Sequence, residues 1–292
     1  MFTITLIASP VRRDLDPALV TSLRDAWGGG GALWLAPDEA AEFDVAVLPG
    51  NLSEIAAGLR ADGVDLAAQP ADNRCKRLLL ADMDSTMIEQ ECIDELAEMA
   101  GVGPRVAAIT ARAMNGELDF EGALLERVGL LAGLDAAVID RVMEERITMA
   151  PGGATLVATM RAAGAHTALV SGGFTAFTSR VAAQLGFDEH RANTLIAADG
   201  ILTGDVGRPI LGREAKIAAL SDICVRLGID AGDAIVVGDG ANDLGMIQRA
   251  GTGVALHAKP VVADQAPVRI DHGDLTALLY LQGYSREAFA SA

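Results

Sequence analysis

Three short apolar runs, each followed by a polar or glycine-rich segment, constrain the fold of this chain more than any other feature. The runs and the residues that follow them are Leu78–Ala81 with Asp82, His166–Val170 with Ser171-Gly172-Gly173, and Ala234–Val237 with Gly238-Asp239-Gly240. Such runs are typical of strands buried on both faces of a parallel sheet. Helical patterns at Phe174–Leu185 and Arg213–Leu227 lie between them. The alternation predicts a doubly wound, Rossmann-like α/β sheet, whose ligands bind at the carboxyl ends of the strands.

The segment between the first two runs is expected to be helical. Residues 98–148 contain no convincing strand and are rich in Ala, Leu, Arg and Glu. We predict that they form a helical cap inserted after the first strand, in the position of a lid over the strand ends. Farther along the chain, Asp199-Gly200 between apolar segments predicts a β-hairpin over Leu195–Thr203.

The beginning of the chain has a different pattern. Strands are predicted at Thr3–Ala8, Ala32–Leu35, Asp44–Leu48 and Val64–Ala68, with helices at Pro17–Trp27 and Leu52–Ala61. The order β-α-β-β-α-β is typical of a ferredoxin-like α+β domain. We interpret the polar stretch Gln69–Arg74 as a linker. The chain is therefore predicted to divide into two domains, residues 1–76 and residues 77–292.

Composition and charge narrow the classes of function. The 292 residues are 51% hydrophobic and carry a formal charge of −17 at pH 7. That apolar content excludes a disordered chain, and the negative charge disfavours nucleic acid and anionic membrane surfaces as partners. No apolar run approaches the ~18 residues of a membrane-spanning helix. The three cysteines include no C-x-x-C pair and the N-terminus lacks a secretory pattern, so we expect reduced thiols and a cytoplasmic location.

The acids at the strand ends suit a metal site. Asp82 and Asp84 are two residues apart on an extended backbone, so their side chains project to the same side. Two carboxylates ~4 Å apart repel each other by about 4 kcal/mol at an effective dielectric near 20, which a divalent cation would offset. Asp239 and Asp243 add two carboxylates at another strand end. Oxygen ligands without cysteine or histidine favour Mg²⁺ over Zn²⁺; the alternative is that each Asp caps a helix or turn.

The middle strand end and one lysine supply groups for an anion. Ser171-Gly172-Gly173 ends a strand and opens a helix, where backbone N–H groups and a hydroxyl converge. Lys216 lies near the start of a helix and either offsets phosphate charge or is solvated. With the carboxylates, these groups fit phosphoryl transfer through an aspartyl-phosphate. Asp82 is ionised at pH 7 without a separate base, and Asp84 is placed to protonate the leaving alcohol and then deprotonate water.

These segments resemble the four motifs of the haloacid dehalogenase-like phosphatases. The matching residues are Asp82-Met-Asp-Ser-Thr86, Ser171-Gly-Gly173, Lys216 and Gly238-Asp-Gly-Ala-Asn-Asp243. Within that superfamily, Asp84–Glu95, Phe120–Leu134 and Gly253–Pro260 are similar to the phosphoserine phosphatase family. The resemblance covers residues 77–282. It implies Mg²⁺-dependent hydrolysis of O-phospho-L-serine to L-serine and phosphate, the last step of L-serine biosynthesis.

The resemblance also implies roles for individual residues. Asp82 would be the nucleophile, and Asp84 the general acid and then the general base. The Mg²⁺ ion would be held by the Asp82 side chain, the Asp84 backbone carbonyl and Asp239.

The remaining implied roles concern the substrate. The phosphoryl group would be held by Ser171, the Gly172 amide and Lys216, with Asn242 beside them. Glu91 would meet the substrate ammonium and Arg127, on the cap, its carboxylate; such a pair suits the two charged ends of phosphoserine. Phe120 and Met114 of the cap are expected either to line the closed pocket or to pack in the core.

The N-terminal residues resemble ACT-like domains, which sense small molecules. Two hypotheses stay open for them: an amino-acid-responsive module, or an element for homodimerisation and packing. For the whole chain, two alternatives to the phosphoserine reaction stay open. One is hydrolysis or transfer of the phosphoryl group of another small monoester, and the other is serine sensing by a relic catalytic core. We expect a small-molecule substrate, and no nucleic acid or membrane partner.

Overall fold

The N-terminal part of the chain forms a four-stranded antiparallel sheet with two helices on one face. A computed structural model describes residues 1–114 and 117–291, apart from the side chain of Met114. The first elements are β1 (Phe2–Ala8), α1 (Pro17–Ala26), β2 (Leu33–Ala36), β3 (Ala40–Val45), α2 (Leu52–Ala61) and β4 (Val64–Pro70). The strand order is β2-β3-β1-β4, and neighbouring strands are antiparallel. The predicted β-α-β-β-α-β order is confirmed.

Two of these strands differ in extent from the prediction. β3 begins at Ala40 and ends at Val45, whereas the sequence predicted Asp44–Leu48, and Val47 is exposed after the strand has ended. The charged side chain of Glu42 obscured the first part of β3, because this buried carboxylate accepts a hydrogen bond from Arg74 Nη1 at 3.1 Å, a partner that the sequence pattern does not reveal. β4 also continues through the first two residues of the predicted linker, Gln69 and Pro70.

The face of the N-terminal sheet opposite its helices packs against residues from the end of the chain. The buried Asp65 carboxylate of β4 accepts the backbone N–H groups of Asp271, His272 and Gly273 at 2.8–2.9 Å. On the other side of β1, in the β2–β3 turn, the buried Glu39 carboxylate accepts the Tyr280 hydroxyl at 2.8 Å. Buried polar groups are costly unless they are paired, so these contacts fix how this face meets the rest of the chain.

Residues from Leu78 onward build the predicted parallel sheet. The elements are β5 (Leu78–Ala81), α3 (Cys92–Met99), α4 (Gly103–Met114), α5 (Phe120–Gly129), α6 (Val138–Glu145), α7 (Gly153–Ala162), β6 (His166–Phe174), α8 (Thr175–Leu185), β7 (Glu189–Asn193), β8 (Leu195–Ala198), β9 (Ile201–Val206), α9 (Arg213–Leu227), β10 (Ala234–Gly238), α10 (Leu244–Ile247), β11 (Thr252–Leu256), α11 (Pro260–Ala263), β12 (Val268–Ile270) and α12 (Ala277–Leu281). Six strands lie in the order β12-β11-β10-β5-β6-β7, each parallel to its neighbours. The doubly wound α/β fold is therefore confirmed.

Side chains alternate between two cores on the two faces of this sheet. In β5, Leu79 faces one core together with residues of α7, α8 and α12. Leu80 faces the other core, with residues of α9, α10 and α11. Because both faces are covered, the strands consist of uninterrupted apolar residues, which is why they were recognisable in the sequence.

Helices α3 to α6 form the predicted insertion between β5 and β6, and the β8–β9 hairpin supports it. The turn of this hairpin is Asp199-Gly200, and both residues have positive φ, as a two-residue hairpin turn requires. The Gly133 N–H, in the loop after α5, donates to the Leu202 carbonyl of β9 at 2.9 Å. In the part of the chain that the structure describes, no helix has both the length and the apolar character to span a bilayer.

Candidate active site

The carboxyl ends of three adjacent strands bring the predicted residues together. Asp82 directly follows β5, Ser171-Gly172-Gly173 lies at the end of β6, and Asp239 directly follows β10. β5 lies between β10 and β6, and the Asp82 N–H still donates to the Val237 carbonyl of β10 at 3.0 Å. Met83 is fully buried, so the Asp82 and Asp84 side chains flank a residue that points into the core.

Lys216 is the charged centre of the site. Its Nζ lies 2.6 Å from Asp82 Oδ1 and 2.6 Å from Asp243 Oδ1, and only 2% of the lysine surface is exposed. Burial alone would lower the pKa of Lys216, but the two carboxylates outweigh it and raise that pKa above its ordinary value. Lys216 is therefore charged, and it offsets one of the two negative charges beside it.

Three buried carboxylates converge on one point next to this lysine. Asp82, Asp239 and Asp243 each offer an oxygen, and these oxygens lie within 4.8 Å of one another. Burial and the neighbouring Asp243 raise the pKa of Asp82 despite the contact with Lys216. Burial also raises the pKa of Asp239 to about 6, against the effect of Lys259. An all-oxygen cluster with excess negative charge fits a hard divalent cation.

This cluster differs in part from the predicted ligand set. It contains Asp82 and Asp239 as predicted, and it adds Asp243, to which the resemblance gave no role. Asp243 is fully buried, and its second oxygen accepts the Gly240 N–H at 3.0 Å. The glycine-rich strand end makes this possible, because a Cβ on Gly238 would lie 2.3 Å from the Asp243 carboxyl carbon. The Asp84 side chain points elsewhere.

Asp84 is held between the cap and the turn Ser171-Gly172-Gly173. This turn is called the phosphoryl turn, after the group that the sequence predicts it to hold. Its Oδ1 accepts the Cys92 N–H at the start of α3 at 2.8 Å, and its Oδ2 accepts the Ser171 hydroxyl at 3.1 Å. Burial and the nearby Glu91 carboxylate raise its pKa, while these hydrogen bonds lower it by a smaller amount. A carboxyl with a raised pKa retains its proton more readily, which suits a general acid.

The cap contributes groups of both charges. Glu91 is the residue before α3, and its Oε1 accepts the Ser85 hydroxyl at 2.8 Å. Arg127 lies on α5, where its Nε donates to the Ala123 carbonyl of the preceding turn at 3.2 Å. Burial lowers the pKa of Arg127, whereas nearby acids raise it; its ordinary value is so high that the guanidinium stays charged.

One cavity of about 620 Å³ joins these groups. The predicted residues on its wall are Asp82, Asp84, Glu91, Arg127, Ser171, Gly172, Asp239 and Asn242. Lys216 is not on the wall and acts from behind Asp82. Phe120 lines the cavity and lies over the phosphoryl turn, where a Cβ on Gly172 would be 3.2 Å from its ring. The side chain of Met114 lies outside the described part of the chain.

Two basic residues on the cavity wall, Lys259 and Arg213, were not singled out from the sequence. Lys259 is exposed, and its Nζ lies 3.6 Å from Asp239 Oδ2. It belongs to the segment Gly253–Pro260 that carried part of the resemblance, but no role was attached to it. Arg213, the first residue of α9, also lines the cavity. A basic residue at a helix start is common on surfaces, so nothing in the sequence distinguished it.

Comparison with known proteins agrees with this geometry. The model of the haloacid dehalogenase-like hydrolase family matches residues 79–248. A phosphoserine phosphatase of Polaromonas sp. is 48% identical over 210 residues, which cover 70% of this chain and 89% of that protein. A phosphoserine phosphatase of Streptomyces coelicolor is 44% identical over 232 residues, 79% of this chain but 56% of that protein. This chain thus matches little more than half the length of the Streptomyces protein.

Solved structures extend the comparison to the fold. A phospho-aspartyl intermediate analogue of phosphoserine phosphatase superposes with a TM-score of 0.66 at 40% identity, covering 70% of this chain and 98% of that chain. A haloacid dehalogenase family hydrolase from Salmonella enterica serovar Typhi superposes with a TM-score of 0.85 at 30% identity, covering 96% of this chain and 98% of that one. The chain therefore belongs to the haloacid dehalogenase-like hydrolases, and among them to the phosphoserine phosphatases.

Proposed function

We propose that this chain hydrolyses O-phospho-L-serine to L-serine and inorganic phosphate through a phosphorylated Asp82, with Mg²⁺ as cofactor. The observation that carries the proposal is that the groups for phosphoryl transfer and the charged groups for the amino-acid part of the substrate line the same cavity. Asp82 and Ser171 lie on its strand-end wall, and Glu91 and Arg127 come from the cap side. The curated relatives named as phosphoserine phosphatases support the choice of substrate.

The first step is attack on phosphorus by the Asp82 carboxylate. Its Oδ1 lies against Lys216 and accepts the Met83 N–H at 2.8 Å, so we assign the attack to Oδ2. The P–O bond to the serine oxygen breaks, and Asp84 donates its proton to that oxygen. Ser171, the Gly172 N–H and Asn242 hold the phosphoryl oxygens, as donors placed in advance.

The second step returns the enzyme to its starting state. Asp84, now a carboxylate, takes a proton from water, and the water oxygen attacks the phosphorus of the acyl phosphate. The P–O bond to Asp82 breaks, and inorganic phosphate leaves. The charged Lys216 stays beside Asp82 in both steps and offsets the negative charge of the Asp82 carboxylate.

The metal would be held by Asp82 and Asp239, with Asp243 and the Asp84 backbone carbonyl as the remaining candidates. A bound Mg²⁺ supplies positive charge for the phosphoryl oxygens. Three buried carboxylates within 4.8 Å support this placement, because among the described residues their salt-bridge partners are Lys216 and the more distant Lys259.

Substrate selection rests on Glu91 and Arg127. The Glu91 carboxylate pairs with the substrate ammonium, and the Arg127 guanidinium forms two parallel hydrogen bonds with its carboxylate. Closure of the cap over the ligand excludes bulk water and strengthens both interactions.

We further propose that residues 1–76 form a packing unit beside the catalytic unit of residues 77–292. The sheet face without helices supports this, since the end of the chain covers it through Asp65 and Glu39. Calorimetric titration of the whole chain with L-serine tests the alternative of an amino-acid effector, and size-exclusion chromatography with light scattering tests homodimerisation. A cytoplasmic location is supported by three cysteines that form no disulfide.

Phosphate release from O-phospho-L-serine with Mg²⁺ tests the proposed reaction. Asp82→Asn, which is nearly isosteric but removes the charge, should abolish turnover, whereas Asp72→Asn in an exposed part of the chain should leave it unchanged. Equal rates for wild type and Asp82→Asn would refute the mechanism.

A substrate panel tests the specificity. Glu91→Gln and Arg127→Ala should lower kcat/KM for O-phospho-L-serine much more than for p-nitrophenyl phosphate. Glu89→Gln and Arg105→Ala change exposed neighbours in the same way and serve as matched controls. Equal effects on the two substrates would contradict the assignment of Glu91 and Arg127.

A further inference from the structure

Asn193, the last residue of β7, has a side chain whose hydrogen bonds all go to two loops of the active site. Its Nδ2 donates to the Gly172 carbonyl at 2.8 Å and to the Leu211 carbonyl at 3.1 Å. Its Oδ1 accepts the Leu211 N–H at 2.7 Å. Only 2% of Asn193 is exposed. A buried side-chain amide with both donor hydrogens in use holds its partners strongly, because any of them would be costly to leave unpaired.

The contact with Gly172 occurs where the sheet ladder is interrupted. Val170 pairs with Arg191 and Phe174 with Asn193, so β6 has two more residues than β7 between these pairs. The phosphoryl turn therefore bulges out of the ladder, and its backbone carbonyls lose their regular strand partner. The Asn193 amide supplies that partner for Gly172.

One position of this bulge leaves no room for a Cβ, and its two glycines make it easy to deform. A Cβ on Gly173 would lie 2.6 Å from Asp84 Oδ2, closer than real contacts allow. Two successive glycines offer little resistance to rotation of the peptide between them. In the present orientation the Gly172 carbonyl points to Asn193, and the N–H of the same peptide, that of Gly173, donates to Ser171 Oγ at 2.8 Å. A flipped peptide would take this N–H away from Ser171 Oγ, and the Ser171 hydroxyl would lose a donor that holds it at the phosphoryl site.

The other half of the Asn193 contacts fixes the approach to Lys216. Leu211 is bound through both of its backbone groups, and α9 begins two residues later at Arg213. Lys216 lies in the first turn of that helix. One side chain therefore sets the spacing between the phosphoryl turn and the helix that carries the buried cation.

We infer that Asn193 is a positioning residue for phosphoryl transfer: it fixes the Gly172–Gly173 peptide, whose N–H holds Ser171 Oγ, and the start of α9, which carries Lys216. This role rests on the proposed function of the same cavity. Asn193 itself is not on the cavity wall, so it acts through Gly172 and Leu211.

The test uses two substitutions in the full chain. Asn193→Asp keeps the acceptor for the Leu211 N–H but removes both N–H donors, and Asn193→Ser keeps a single donor in a smaller side chain that introduces no charge. Asn51→Asp makes the same chemical change at an exposed asparagine in the N-terminal part and is the matched control. For each protein with Mg²⁺, calorimetry measures the Kd of inorganic phosphate, and steady-state kinetics with active-site titration measure kcat per active site.

The Asp variant should bind inorganic phosphate at least fivefold more weakly and lose at least tenfold in kcat per active site, with the Ser variant between it and the wild type. A merely structural role would lower the melting temperature and the active fraction but leave both of those quantities unchanged, and that result overturns the inference. If the Asp variant does not fold, the Ser variant decides alone by the same two readouts. The two proposals can fail separately. If the wild type does not hydrolyse O-phospho-L-serine but the Asn193 variants still bind phosphate more weakly than it does, the proposed substrate is refuted and the role of Asn193 is upheld.

Discussion

Removing the buried lysine is the sharpest test of the electrostatics of this site. Lys216→Met keeps the apolar stem of the side chain and removes the charge. It leaves Asp82 and Asp243 buried, with oxygens no more than 4.8 Å apart. At that separation two unit charges repel each other by about 3.5 kcal/mol at an effective dielectric of 20. Protonating one carboxylate instead costs about 4 kcal/mol at pH 7, since its ordinary pKa is about 3 units lower.

Both routes give the same size of effect. We expect Lys216→Met to lose about 3.5–4 kcal/mol of unfolding free energy, within the range of about 3–5 kcal/mol for breaking a buried ion pair. For a chain of this size that corresponds to a fall in Tm of roughly 7–15 °C. Thermal unfolding followed by circular dichroism at pH 7.5 with a metal chelator measures it.

The chain provides a matched control in Lys259. Its side chain is 58% exposed and its single ion pair is longer, at 3.6 Å, so Lys259→Met should cost less than about 1 kcal/mol. Added Mg²⁺ should raise the Tm of Lys216→Met more than that of the wild type, because the cation replaces part of the missing charge. A Tm for Lys216→Met within 2 °C of the wild type in chelator, roughly 0.5–1 kcal/mol, would refute this reasoning.

Three further predictions follow from other contacts. Gly173→Ala should lower kcat at least tenfold while the protein stays folded, because the new Cβ would lie 2.6 Å from Asp84 Oδ2; unchanged kcat would show that the turn can shift freely. Asp65→Ala should lose about 3 kcal/mol in denaturant unfolding, because three backbone N–H groups lose a charged acceptor; a loss below 1 kcal/mol would mean that water replaces it. The Thr167 N–H and hydroxyl lower the pKa of Asp188 against the effect of burial. Since the folded pKa lies below the unfolded one, the stabilisation is present above the unfolded value of about 4 and is lost as pH falls through the folded value. Asp188→Asn should therefore be less stable than wild type at pH 7, and the difference should shrink as the pH falls below about 4; a difference independent of pH would contradict this.

The features that the sequence predicted well are those determined by local pattern. Leu78–Ala81 is apolar throughout because both of its faces are buried, so the strand and the acid that follows it were recognisable together. Asp199-Gly200 was recognisable for a similar reason, since few residue pairs accept positive φ at both positions.

The features that the sequence did not predict depend on contacts between distant residues. β3 was misplaced because the partner of Glu42 is Arg74, far from it in the chain. The sequence placed Asp243 among the acids at the strand ends, but it did not predict the buried contact of Asp243 with Lys216. Asn193 gave no signal at all, because a single asparagine after a short strand resembles many turn residues. Glu91 and Arg127 could be chosen among neighbouring charged residues only through the resemblance to a family.

The packing of the N-terminal sheet against the last residues has a consequence for biosynthesis. β1 leaves the ribosome before every other strand described above, yet the face that carries Ile7 is covered by residues from Gly273 to Leu281. At ~5–20 residues per second, these residues follow β1 by roughly 13–55 s. During that interval the nascent chain exposes one half of a future interface, so β1 and the residues that cover it meet only after Leu281 has been synthesised.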